Sequence, residues 1–286
     1  MHRSIRSLAV ACAGVAGLAV FNLSSANAQA VGDIQIDIAH GNQTDLSLTP
    51  VWFGFHNGAF DMFDVGSPAD AVLGTNAVEL VAELGDVSQI TADFTAAPGI
   101  PGDIQGVVTA VGTGSLAAPP IQPGETGTGF VTPINPSGYQ YFSFLSMIVP
   151  TNDTFIGNDD PLAYRVFNDD DQLIDAMGNP TLERVITLTA ADVLDAATEV
   201  NNGIGAAFTQ GQDGTLGTDE NGNVTLGSDL SAFLGVTDVT GRTINDLITG
   251  DEVLATITLS IVPEPATASL LGLGALAVVR RKRRNA

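Results

Sequence analysis

Residues 31–39 read VGDIQIDIA. Ile34, Ile36 and Ile38 fall on one side of an extended chain, and Asp33, Gln35 and Asp37 on the other. Successive side chains of a strand point to opposite faces, so this alternation predicts a half-buried β-strand. Working outward, further strand-like runs follow at 46–56, 104–111, 126–132, 139–149, 162–167, 184–189, 223–226 and 253–262, separated by clusters of Gly, Pro, Asn and Asp. Asn57-Gly58 supplies a turn that needs a positive φ. Two segments depart from the pattern. Residues 76–84 place Ala77, Leu80, Val81 and Leu84 at helical spacing, with Gly85 as the stop, and 87–97 read as a second short helix closed by Pro98-Gly99. Many short strands with turn clusters predict a mainly β chain, an antiparallel β-sandwich with short helical insertions. No internal repeat and no Pro/Ser-rich linker divides 31–262, so one domain is expected there.

The two ends read as processing signals. Arg3 and Arg6 precede an apolar run, 8–21, and Ala26-Asn27-Ala28 offers a small-residue cleavage site. That order predicts a signal peptide over 1–28, cut after Ala28. Its apolar core is too short for a stable membrane span. Cys12, the only cysteine, lies inside it, so the exported chain has no thiol, disulfide or cysteine metal site.

The other end, 261–286, reads IVPEPATASLLGLGALAVVRRKRRNA. Pro263-Glu264-Pro265 ends the last strand, because proline lacks an amide donor and restricts the residue before it. Residues 266–279 are apolar or small, and Arg280, Arg281, Lys282, Arg283 and Arg284 form a basic cluster. As a membrane helix, 266–279 covers only about 21 Å, so it inserts with thinning or with the arginines snorkelling. The basic cluster stays cytoplasmic, which puts the acidic chain outside. Gly272, Gly274 and Ala277 mimic a dinucleotide fingerprint, but no strand precedes them. In its three parts and their order this tail, 263–286, resembles the PEP-CTERM sorting signal of Gram-negative bacteria. The resemblance implies a sorting signal at Pro263, Glu264 and Pro265, an exosortase-type enzyme as partner, transient anchoring in the inner membrane, and a place on the cell surface, in the outer envelope or in the extracellular matrix.

Charge is unevenly placed. Of 10 basic residues, two lie in the leader and five in the tail; of 32 acidic residues, only Glu264 lies outside 31–262. That leaves Arg165, Arg184 and Arg242 against thirty-one carboxylates. Such a surface repels phosphate backbones and excludes nucleic acid as a partner. It suits divalent cations or a saline medium.

Several kinds of chemistry are absent as motifs. No G-x-S-x-G, H-E-x-x-H or G-K-[ST] occurs. His56, with Asp61 and Asp64 near in sequence, permits a hydrolase to be imagined, but a turn histidine among solvated aspartates is the simpler reading. Residues 211–229, with Asp219, Asn221 and Asn223, begin like a calcium loop but lack its glycine at the sixth position and its acid at the twelfth. A polar hairpin closed by Asn221-Gly222 accounts for them.

Three blocks carry a further resemblance: VWFGFHNGAFDMFDVGSPA (51–69) with the ELVAELGD helix after it, FSFLSMIVPTNDTFIGND (142–159), and DVLDAATEVNN (192–202). In order and spacing they resemble the bacterial spondin-domain proteins, relatives of the N-terminal spondin domain of animal F-spondin, over about 34–262. The resemblance implies an antiparallel β-sandwich that holds a calcium ion between loops. One family ligand follows a strand in an S-x-S-P-D-W stretch; here that stretch ends at Asp153, and Phe155 packs in place of the missing tryptophan. The others come from a D-A-G-T-D stretch, which here reads Asp195-Ala196-Ala197-Thr198-Glu199. Asp195 matches, Glu199 stands for an aspartate, and Ala197 replaces a glycine. The metal ligands implied are therefore Asp153, Asp195 and Glu199. Calcium takes six to eight oxygens, and three carboxylates converging without a cation would repel. Turn aspartates also occur with no metal, because Asp favours tight turns. The expectation is a non-enzymatic surface protein for adhesion or matrix association, with a polysaccharide or protein partner. The alternative is a structural component of the envelope or exopolysaccharide matrix with no ligand of its own.

Overall fold

The computed structural model describes residues 32–110, 119–132 and 135–262. The expected signal peptide (1–28), membrane helix (266–279) and basic cluster (280–284) lie outside the described residues. Among the described residues no helix is long and apolar enough to cross a membrane.

The chain is mainly β. Its strands are β1 Ile34–His40, β2 Ser47–Leu48, β3 Val51–His56, β4 Gln105–Val108, β5 Thr126–Val131, β6 Tyr141–Val149, β7 Thr154–Gly157, β8 Glu183–Thr189, β9 Val193–Asp195, β10 Thr225–Leu226 and β11 Val253–Ile261, with helices α1 Ala77–Leu84 and α2 Ser88–Ala96 between β3 and β4. They form two sheets, of order β5-β1-β11-β8 and β10-β9-β7-β6-β3-β4, with β2 also pairing β6. The strand pairs are antiparallel.

The opening pattern is realised in β1. Ile34, Ile36 and Ile38 are buried, while Gln35 and Asp37 face outward opposite Ser260 and Thr258 of β11. β3 and β6 read differently because they are central strands covered on both faces, and nearly every residue in them is buried. On one face Trp52 packs edge-on against Phe94 of α2, with ring centroids 5.4 Å apart. This close approach needs Gly54, since a Cβ there would sit 2.7 Å from the Phe94 ring. On the other face Phe53, Phe55, Phe142 and Phe144 join the isoleucines of β1 in one apolar cluster. At about 25 cal/mol per Å2 of apolar surface buried, that cluster is the main stabilising term among described residues that include no cysteine.

Three strand boundaries depart from the sequence reading. The run 46–56 is two strands, β2 and β3, because Pro50 has no N–H to continue the ladder. Residues 162–167 form no strand; Arg165 and Phe167 make isolated bridges to Tyr141 and Leu173. β7 and β9 are additional. Each is too short, at four and three residues, to show a period amid polar turn sequence. These two strands position the site, because β7 pairs β9 with Thr154 opposite Asp195.

Candidate metal centre

Two loops meet at one end of the larger sheet. The first is the turn 150–153 between β6 and β7, where Thr151 Oγ1 donates to Ile148 O at 2.5 Å and accepts the Thr154 N–H at 3.2 Å. The second begins with Asp195 at the end of β9. Asp195 Oδ1 accepts the Ala197 N–H at 2.8 Å. Ala197 has φ +51°, so the position where the resembled family has glycine is left-handed and its alanine carries the strain.

That turn wraps back onto Asp153, whose side chain is fully buried. Asp153 Oδ2 accepts the N–H groups of Thr198 (2.8 Å) and Glu199 (2.9 Å) and the Thr198 hydroxyl (3.3 Å). Asn201 Nδ2 lies 2.9 Å from Asp153 Oδ1, 3.0 Å from Asp195 Oδ2 and 3.2 Å from Ser228 Oγ. Ser228 Oγ also donates to Asp195 Oδ2 at 3.2 Å. Asp153 and Asp195 are thus brought together with Asn201 and Ser228 between them.

Glu199 contributes differently from the expectation. Its N–H serves Asp153, while its carboxylate accepts from Asn152 Nδ2 at 3.2 Å. Among the described residues no group of three or more His, Cys, Asp or Glu side chains is placed to hold a metal ion. Asn201 and Ser228 had no distinguishing signal in the sequence. Asn201 sits in a quoted block, but only the fold reveals that its amide bridges two carboxylates.

The electrostatics are one-sided. Burial, and then the Asp195 charge, push the Asp153 carboxyl well above the usual carboxylate range, against the pull of its N–H donors. The ion pairs among the described residues are Arg165–Asp169 and Arg242–Asp45, so neither involves the site. Beside it, Asp70, Glu79, Glu83 and Asp219 line a cavity of about 350 Å3 with Thr198 and Asn221. Burial raises Glu83 to about 7, opposed by its bond to Thr198 and reinforced by Glu199, Glu79 and Asp153. Burial, with Asp219 and Glu79, raises Glu199 as well. The segment around Asn221-Gly222 pairs with this turn instead of closing on itself: Gly222 N–H donates to Ala197 O at 2.7 Å and Glu220 N–H to Thr198 O at 2.8 Å.

The donor set fits a hard cation in kind. It consists of oxygens from two carboxylates and a hydroxyl, with no imidazole or thiolate to favour zinc. Asn201 Oδ1 is buried without a hydrogen-bond partner. Rotating that amide by 180° would turn its oxygen toward both carboxylates, an arrangement that is unfavourable unless a cation enters among these oxygens. A calcium ion held by Asp153, Asp195, Asn201 and Ser228 would supply charge neutralisation for the pair.

His56 is a polar core group. Its Nδ1 accepts the Gly58 N–H at 3.1 Å, so the proton sits on Nε2 and is donated to Ser143 Oγ at 2.9 Å. Ser143 Oγ also accepts from Asn158 Nδ2 at 2.9 Å. In this tautomer the ring has no lone pair facing the serine. Burial lowers its pKa to about 4.

Residues 262–284 match the PEP-CTERM protein-sorting motif. The matched stretch contains Pro263, Glu264, Pro265 and all five residues of the basic cluster. A motif of this kind marks a chain for exosortase-dependent export and association with the cell envelope. A search of curated proteins finds no match to the chain.

Proposed function

We propose that this exosortase substrate is a surface-displayed adhesion or matrix-association protein, with a spondin-like sandwich whose loops are ordered by calcium. The observation that carries the calcium reading is the convergence of Asp153 and Asp195, from separate loops, on the amide of Asn201. Two like charges beside a buried point, with no arginine or lysine in reach among the described residues, are stabilised by a divalent ion or by a proton. Display outside the cell supports the ion, and the acidic surface favours cation accumulation around the site. The same display supports a partner in the matrix, either a polysaccharide or another surface protein.

Calorimetric titration of the chain with calcium tests this reading. One ion per chain is expected for the unaltered protein and none for Asp195→Ala. Adhesion is tested by binding of the purified chain to its producing cells, with loss expected in EDTA.

A second reading has its own observation. Every oxygen of Asp153 already has a protein donor. A cation-free clamp built this way suits a structural envelope component with no ligand. Heatless titration together with calcium-independent retention in the envelope would select it.

A further inference from the structure

The two ends of the described chain leave it side by side. Ile34 of β1 pairs with Ile261 of β11, and the Val262 N–H donates to Asp33 O at 2.8 Å. Only Pro263, Glu264 and Pro265 then separate the sheet from the apolar stretch 266–279. Three extended residues span about 10 Å. With that stretch in a bilayer, this end of the four-stranded sheet lies within about that distance of the lipid surface.

The same end carries apolar side chains that are out of place on so acidic a protein. Phe130 is 61% exposed and is the only exposed aromatic residue among the described residues. It stands one residue from the end of β5, across from Gln35. Leu182, 76% exposed, lies just before β8, and its carbonyl accepts the Ile261 N–H at 3.1 Å. Met177, 86% exposed, caps the hairpin that leads into β8, in which Ile174 bridges Pro180 and the Thr181 N–H donates to Leu173 O. Met177 and Leu182 are the two most exposed large hydrophobic side chains described.

We infer that this end is a membrane-contact surface: Phe130, Leu182 and Met177 seat in the interface of the bilayer that holds the tail. The inference rests on the tail being membrane-held before sorting. The occupant follows from the tether, since three residues of slack leave the lipid surface as the nearest body of apolar material. Phe and Leu side chains bury at the boundary between headgroups and acyl chains. Asp33 and Asp103 line one cavity with Phe130, and Glu183 follows Leu182 in the chain, so zwitterionic headgroups are the favoured lipid and anionic ones are repelled.

The test uses the full chain with Cys12→Ser as a cysteine-free background. Single cysteines at Phe130, Leu182, Met177, Asp251 and Ala275 carry an environment-sensitive fluorophore. Each variant is reconstituted into phosphatidylcholine vesicles containing a shallow spin-labelled lipid quencher. Position 275 reports the tail, and 251, near the opposite end of β11, is the control. The expected result is blue-shifted, quenched emission at 275, 130, 182 and 177, and neither change at 251. Quenching at 275 with 130, 182 and 177 indistinguishable from 251 would overturn the inference and leave the tail reading intact. No quenching at 275 would overturn both. A blue shift at 130, 182 and 177 that needs no vesicles and grows with protein concentration would assign the surface to a second copy of the chain, and would also overturn it.

Discussion

Asp153 is a buried carboxylate served by backbone N–H groups, a hydroxyl and an amide. Asp153→Ala removes the acceptor and leaves these donors buried, at about 1–3 kcal/mol each. A loss of about 3 kcal/mol or more is expected in chemical denaturation. Asp153→Asn costs far less without calcium, because the Asn201 amide can turn its unpartnered Oδ1 to the new Nδ2. Equal losses for the two substitutions would refute the donor-counting argument. The pH dependence follows from the shifts and their signs. The folded Asp153 and Glu83 carboxyls titrate above their ordinary values of 3.8 and 4.5, so each favours the folded state when protonated, and that contribution is lost as pH rises toward 7. His56 has the reverse sense: its folded pKa near 4 lies below 6.5, so stability falls as pH drops from 6.5 toward 4. In EDTA the two carboxyls outweigh the histidine, so these groups together should make the melting temperature fall as pH rises from about 4 to 7, and His56→Gln should steepen that fall. A melting temperature that rose steadily to pH 8 would contradict the assignment of the carboxyls. At this scale the sequence made Asp153 and Asp195 visible through the blocks around them. It could not reveal Asn201 or Ser228, whose roles depend on contacts with residues up to 74 positions away.

Among the elements, β1, β5, β8 and β11 were legible because each has one buried face or a clean run between turn residues. β7 and β9 were not, since four- and three-residue strands in the middle of a sheet carry no readable period and owe their existence to β6 beside them. The same limitation hid how Asp153 and Asp195 are brought together, since that depends on the β7–β9 pair. α1 was visible in its spacing and in its stop. Gly85 ends it with φ +64°, donating to Val81 O as an αL-type closure, while Asp86 N–H reaches back to Leu80 O. A Cβ at Gly85 would also lie 2.6 Å from Thr49 Cγ2. Gly85→Ala should cost at least about 1–2 kcal/mol from the left-handed backbone alone, measurable as a lowered denaturation midpoint with unchanged slope. Because α1 carries Glu79 and Glu83 to the cavity beside Thr198, the same variant should weaken calcium affinity as well. Full retention of stability would mean that the helix end is not held as described.

For the whole molecule, the placement of charge and the position of the ends belong together. The described chain begins and ends side by side, and the cationic cluster lies beyond the apolar stretch at the far end of the tail sequence. The sorting motif was readable from the sequence because its signals are local: a Pro-Glu-Pro stop, an apolar run and a basic block. The two-sheet packing was readable only in class, since the order of strands within each sheet depends on long-range pairing that no local pattern encodes. Glu264→Ala should leave the chain uncut in the membrane fraction of the producing cell, as seen by gel mobility after fractionation; unaltered size and distribution would count against the assigned role of that residue. The calcium reading is tested most directly by the melting temperature of the chain in 10 mM calcium against EDTA at pH 7.5. With a dissociation constant of about 0.1–1 mM, usual for extracellular sites, binding adds about 1.4–2.7 kcal/mol, or about 3–10 °C for a domain of this size. The account predicts that rise for the unaltered chain and its absence in Asp195→Ala; identical melting in calcium and EDTA would contradict it.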